Sequence, residues 1–159
     1  MQDPFIQAVI DNDCETVRAG LAAGRDPNVP DQYGWIPLNR AAANNSVQVA
    51  ELLLQAGSSL AATGTDTWTP LHLAVISDSF GMVTLLVNAG AEVDALSIRG
   101  DTPLHLCAIP CRVESAQALL RAGANPLLPN QKGVTPLAAA LEHGCGALAE
   151  LLQHWIKRT

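Results

Sequence analysis

A proline returns every 33 residues along this chain, at Pro4, Pro37, Pro70, Pro103 and Pro136. Gly24, Gly57, Gly90 and Gly123 keep the same interval, and Gly34, Gly100 and Gly133 each stand three residues before one of those prolines. A fixed period of this length means that one supersecondary unit is repeated, with each unit's apolar face buried only by its neighbours. The chain is therefore expected to be a stacked array. Its 159 residues, 48% of them hydrophobic, supply enough apolar side chain for one continuous core along such a stack.

Aligned on the prolines, the segments Thr69-Pro70-Leu71-His72, Thr102-Pro103-Leu104-His105 and Thr135-Pro136-Leu137-Ala138 read as helix starts, as does Ile36-Pro37-Leu38-Asn39. A threonine hydroxyl can accept a bond from a free N–H of the first turn, and the following proline has no N–H to leave unpaired. A second helix is expected in each unit from apolar patterns such as Val47, Val49, Ala50, Leu52 and Leu53, stopping at Ala56-Gly57. There the glycine takes up the left-handed conformation that ends a helix. About ten polar or turn-forming residues, such as Asp31-Gln32-Tyr33-Gly34, separate each stop from the next start and suit a projecting turn or hairpin.

These residues resemble the ankyrin repeat, whose Gly two places before Thr-Pro-Leu-His, followed by Ala, paired leucines and Gly-Ala, is matched best at residues 97–129 and 64–96. The resemblance implies an all-α ankyrin-repeat solenoid of stacked helix-turn-helix units with projecting finger loops. It divides a single domain, residues 1–159, into an N-terminal cap 1–30, central repeats 31–63, 64–96 and 97–129, and a C-terminal cap 130–159 with a longer second helix. Asp11, Asn12, Asp13, Glu15 and Arg18 at one end, with Gln153, His154, Lys157 and Arg158 at the other, supply the polar outer faces of a finite stack, so the chain reads as complete. The resemblance also gives His72 and His105 a structural role, bonding within and between repeats.

Composition narrows the function. The net charge is −6, with nine acids and three bases in residues 1–79 and six of each in residues 80–159. Such a surface repels a polyanion, so nucleic acid is not an expected partner. It suits either a partner with a basic face or simple solubility. No apolar run approaches the roughly 20 residues of a membrane span. The N-terminus lacks the basic and apolar regions of a secretory signal, and a cytoplasmic location is expected. Cys14, Cys107, Cys111 and Cys145 are few and irregularly spaced, and are expected to be reduced, packed thiols. No catalytic, cofactor or metal constellation emerges: His105 and Cys107 point apart on a helix, and Cys107 and Cys111 have no second zinc-spaced pair. Only a chance approach of His143 and Cys145 to Cys111 would assemble metal ligands. The chain is read as not an enzyme.

With the scaffold positions assigned, binding is expected at the positions that depart from the pattern on the fingers and the exposed side of the first helices. These are Tyr33, Trp35, Arg40, Asp66, Trp68, Ile76, Arg99 and Asp101, with Ile109 and Arg112 at an irregular turn. Large aromatics mark hot spots, and a mixed aromatic and charged patch suits an interface. Trp35 and Trp68 either contact a partner or pack on one another across adjacent fingers. The chain is thus read as a protein-protein interaction module, monomeric when free, that inhibits or sequesters one specific protein. An antitoxin-like or immunity-type antagonist of a bacterial toxin or effector is the specific case. A self-associating scaffold is a second reading, and a small-molecule binder or enzyme the last.

Overall fold

The computed structural model describes residues 3–64 and 67–158. Its helices come in five pairs: α1 (Pro4–Ile10) with α2 (Cys14–Ala22), α3 (Pro37–Ala43) with α4 (Val47–Gln55), α5 (Pro70–Ile76) with α6 (Phe80–Asn88), α7 (Pro103–Leu106) with α8 (Val113–Arg121), and α9 (Pro136–Glu142) with α10 (Gly146–Ile156). Among the described residues the chain is an all-α solenoid of stacked helix pairs. The odd-numbered helices pack on one another in sequence as one layer, and the even-numbered helices as a second.

Local chemistry starts and stops these helices. Thr69, Thr102 and Thr135 lie in extended backbone, and their hydroxyls accept the N–H of His72, His105 and Ala138 at 3.4, 3.4 and 3.2 Å. In α3, where Ile36 stands in place of threonine, the N–H of Ile36 donates to the Asn39 side chain at 3.2 Å. Each first helix turns into its second through one residue at positive φ: Asn12, Asn45, Asp78, Cys111 and Gly144. This is a second 33-residue beat, occupied by four different residue types.

The core runs the length of the stack between the two layers. Leu38, Leu71 and Leu104 of the first helices, and Leu53, Leu86, Leu119 and Leu152 of the second, recur one unit apart and are fully buried. In the first unit Gly20 takes the place of that second leucine, and the larger Phe5 ring comes within 2.8 Å of where a Gly20 Cβ would be. One bulky residue thus fills the volume left by a missing one.

The fingers are short hairpins. Residues 31–35, 97–101 and 130–134 each close with a bond from the first N–H to the fifth carbonyl, at 2.9, 3.0 and 2.8 Å. The side chains of Asp31, Ser97 and Asn130 also accept the N–H groups two and four residues on, which holds each tip rigid.

The cysteines correct the expectation of four reduced thiols. Cys111 and Cys145 form a disulfide, with their Cα atoms 5.3 Å apart, while Cys14 and Cys107 are free. The two are separated by 34 residues, one repeat plus one, so stacking sets the turn of one unit beside the start of the next second helix. Spacing read along the chain looks irregular because it hides that offset.

Candidate functional site

What fixes one finger against the next is a buried side chain in each of α3, α5 and α7. His72 Nδ1 accepts the N–H of Thr69 at 3.3 Å, and its Nε2 meets the carbonyl of Asp101 at 3.1 Å. A carbonyl can only accept, so the ring carries its proton on Nε2. His105 repeats the arrangement between Thr102 and the Val134 carbonyl, at 3.1 and 3.0 Å. Asn39 does the same work with an amide, its Nδ2 reaching the carbonyls of Ala62 and Trp68 at 3.2 and 3.4 Å. Burial lowers the pKa of His72, outweighing its bonds to backbone carbonyls.

On this frame the first finger assembles an aromatic and charged cluster. The Arg40 guanidinium lies over the Trp35 ring at 4.6 Å and the Tyr33 ring at 5.3 Å, and pairs with Asp31 at 2.5 and 2.7 Å. Burial pushes the Asp31 carboxyl up, but the Arg40 bond and the N–H groups of Tyr33 and Trp35 outweigh it and hold the carboxyl below its usual range. Tyr33 is 58% exposed at the tip. Beside it lies an open cleft of about 380 Å³, lined by Phe5, Arg25, Val29, Tyr33 and Arg40 among others. Both of its arginines are paired, since Arg25 stacks on Phe5 and pairs with Asp3 as Arg40 pairs with Asp31.

Trp35 and Trp68 are half-buried and packed against the core. Trp35 leans on the following finger, so closely that a Cβ on Gly64 would fall inside its ring. That finger departs from the others. Gly64 stands where Asp31, Ser97 and Asn130 carry their side chains, and Thr67 takes a φ of +57° where Gly34, Gly100 and Gly133 sit at +77°, +75° and +76°. A β-branched residue is strained there. The Thr67 hydroxyl is buried without a hydrogen-bond partner among the described residues.

The other expected site residues divide between the two ends of the helices. Arg99 is exposed on its finger, and its guanidinium makes no bond among the described residues. Asp101 is half-buried and accepts the Asn130 amide at 2.7 Å, which ties two fingers together. Asp66 lies outside the described residues. Ile76, Ile109 and Arg112 gather at the opposite end, where Arg112 donates to the carbonyls of Ile76 and Ile109 at 2.7 and 2.5 Å and to Asp78 at 3.1 Å. Helix α5, about 9 Å long over its six rises, separates that cluster from the fingers. Ile98 and Leu96, 62% and 59% exposed on the finger that carries Arg99, escaped the sequence reading. The available signal was an apolar residue at Ile98 where the aligned fingers have Gln32, Thr65 and Gln131.

The chemistry of the remaining reactive groups is muted. Cys107 is buried, its thiol is pushed up to about 12 by that burial, and its Sγ donates to the Pro103 carbonyl at 3.5 Å. Among the described residues, no three His, Cys, Asp or Glu side chains converge as metal ligands would. No helix among the described residues is long and apolar enough to cross a membrane.

Comparison with known proteins agrees with this architecture. A family model described as ankyrin repeats in three copies matches residues 5–97, and a single ankyrin repeat matches residues 99–131. Over 43 residues the chain is 42% identical to the RelA-associated inhibitor of Mus musculus, which covers 27% of this chain. The chain spans 5% of the length of that relative. Repeated helix pairs, bridged fingers and these matched segments lead to one conclusion: the chain belongs to the ankyrin repeat family.

Proposed function

We propose that this protein is a non-enzymatic binding module that inhibits or sequesters one specific protein partner through its finger tips and the adjoining face of its first helices. The observation that carries the reading is the stack of Tyr33 and Trp35 on Arg40, held by Asp31. It presents a large exposed aromatic on a rigid hairpin, so little ordering entropy is lost on contact. Arg99, Ile98 and Leu96 continue the exposed surface on the fourth unit's finger. The ankyrin fold is an interaction fold, and the one relative named above is called an inhibitor, which supports the inhibitory role. The excess of acids over residues 1–79 favours a partner with a basic face.

The same reading has the free chain as a monomer in the cytoplasm, where a half-exposed free thiol such as Cys14 persists and a disulfide such as Cys111–Cys145 is the exception. Sedimentation at high concentration and cell fractionation check those two points. The binding assignment is tested by affinity capture from the source cells with the native chain, a Tyr33→Ala, Arg99→Ala double variant and an Arg121→Ala control. The double variant is expected to lose a protein that the other two retain. Equal capture by all three would overturn the finger-tip assignment.

A further inference from the structure

At the end of the helices away from the fingers, each joint between successive units is bridged by the residue at positive φ. Asn12 meets Gln48 and the N–H of Val49 at 2.8 and 3.4 Å, Asn45 meets Ser79, and Asp78 meets Arg112 at 3.1 Å. The last bridge is the Cys111–Cys145 disulfide, at the same separation of 34 residues as the two before it. Three joints therefore break and re-form by exchange with water, whereas the fourth needs a thiol. Its two residues are unequal in exposure: Cys111 is exposed, and Cys145 is only 4% exposed. Cys111 also lines a surface cleft of about 350 Å³ with Asp78, Phe80, Arg112 and Glu114, where Phe80 offers an exposed apolar wall. Burial holds the free Cys107 thiol protonated at neutral pH, and the free Cys14 starts α2 in the first unit, three units from Cys111.

We propose that Cys111 is a thiol–disulfide exchange site through which a dithiol reductant opens the joint between the last two helix pairs. A thiolate of the dithiol attacks Cys111 Sγ, forming a mixed disulfide as the bond to Cys145 breaks. Cys145 leaves as a thiolate and takes a proton from water. The second thiol of the reductant then attacks its own sulfur in the mixed disulfide, releases Cys111 and departs as the oxidised disulfide. Two electrons have passed from the dithiol to the cysteine pair. Helices α9 and α10 then keep their packing and the His105 bridge to Val134 but lose their covalent tie.

The test uses the full chain purified without reductant. Titration of thiols in denaturant is expected to find two, Cys14 and Cys107, and four after treatment with dithiothreitol. Quenched reaction with the monothiol 2-mercaptoethanol is expected to leave its adduct on Cys111. Hydrogen exchange in α9 and α10 should quicken about tenfold on reduction while α3 to α6 keep their protection. A Cys111→Ser, Cys145→Ser double variant should show the reduced pattern without any reductant. Four free thiols before reduction, an adduct on Cys145, or unchanged exchange in α9 and α10 would each overturn the proposal.

Discussion

The two ends of the helix pairs solve the same problem with opposite chemistry. Both must fix one unit against the next. At the finger end a side chain of the first helix bridges to backbone: Asn39, His72 and His105 each reach a carbonyl 29 residues ahead, on the next finger. At the turn end, side chain meets side chain, and the pairs run from amides to a hydroxyl, an ion pair and a disulfide. A bridge to backbone faces the same partner in every unit, so only residues with an acceptor and a donor at the right separation serve. A bridge between two side chains needs only complementarity, and both members can change together.

The contrast sets an order of expected effects. His72→Ala strands the buried Thr69 N–H and the Asp101 carbonyl and opens a cavity, and should cost about 3 kcal/mol in denaturant unfolding. His72→Asn, which copies the natural bridge of Asn39, should cost about 1 kcal/mol and also remove a pH dependence. Because burial lowers the folded pKa of His72 below its ordinary 6.5, the unfolded chain takes the proton first as pH falls. The stability is fully present above that value and declines below it. Unfolding midpoints of the Asn variant should therefore fall less between neutral and mildly acidic pH than those of the native chain. Equal slopes would show that the ring is not the acid-sensitive part of the bridge.

Smaller effects are expected away from the finger bridges. Thr67→Gly restores the residue found at the aligned positions 34, 100 and 133, relieves the strain of the positive φ and removes a buried hydroxyl that is unpaired among the described residues. It should raise stability by about 1 kcal/mol in the same measurement. Asp78→Asn tolerates the same φ and keeps an acceptor for Arg112 while losing the charge of a largely exposed carboxylate. A change of less than about 0.5 kcal/mol is expected.

The same contrast explains what could be read from the chain before its structure. The prolines, threonines, leucines and histidines answer to backbone geometry or to a core that repeats, so they recur and mark the helices and the stack. The turn-end bridges do not recur as residue types. Asn12, Asn45, Asp78 and Cys111 share a conformation, but only the first two share a side chain, and for that reason the disulfide was hidden. Of the residues expected to bind, Tyr33 and Arg99 stand exposed on fingers, whereas Trp35, Arg40 and Asp101 are engaged in holding fingers, and Arg112 holds a turn. Departure from a repeat pattern marks a special position, and only packing tells whether it faces a partner or a neighbour.

The central claim is a division of labour, in which side-chain bridges hold the stack and the finger tips are left to bind. It is tested most directly by measuring, for the protein captured by the native chain, both affinity and unfolding midpoint in two variants. The Tyr33→Ala, Arg99→Ala variant should weaken binding by about 30-fold or more while its unfolding midpoint stays within about 2 °C of the native chain. The His72→Asn variant should lower the midpoint and leave the affinity unchanged. Loss of binding in step with loss of stability in both variants would contradict the account.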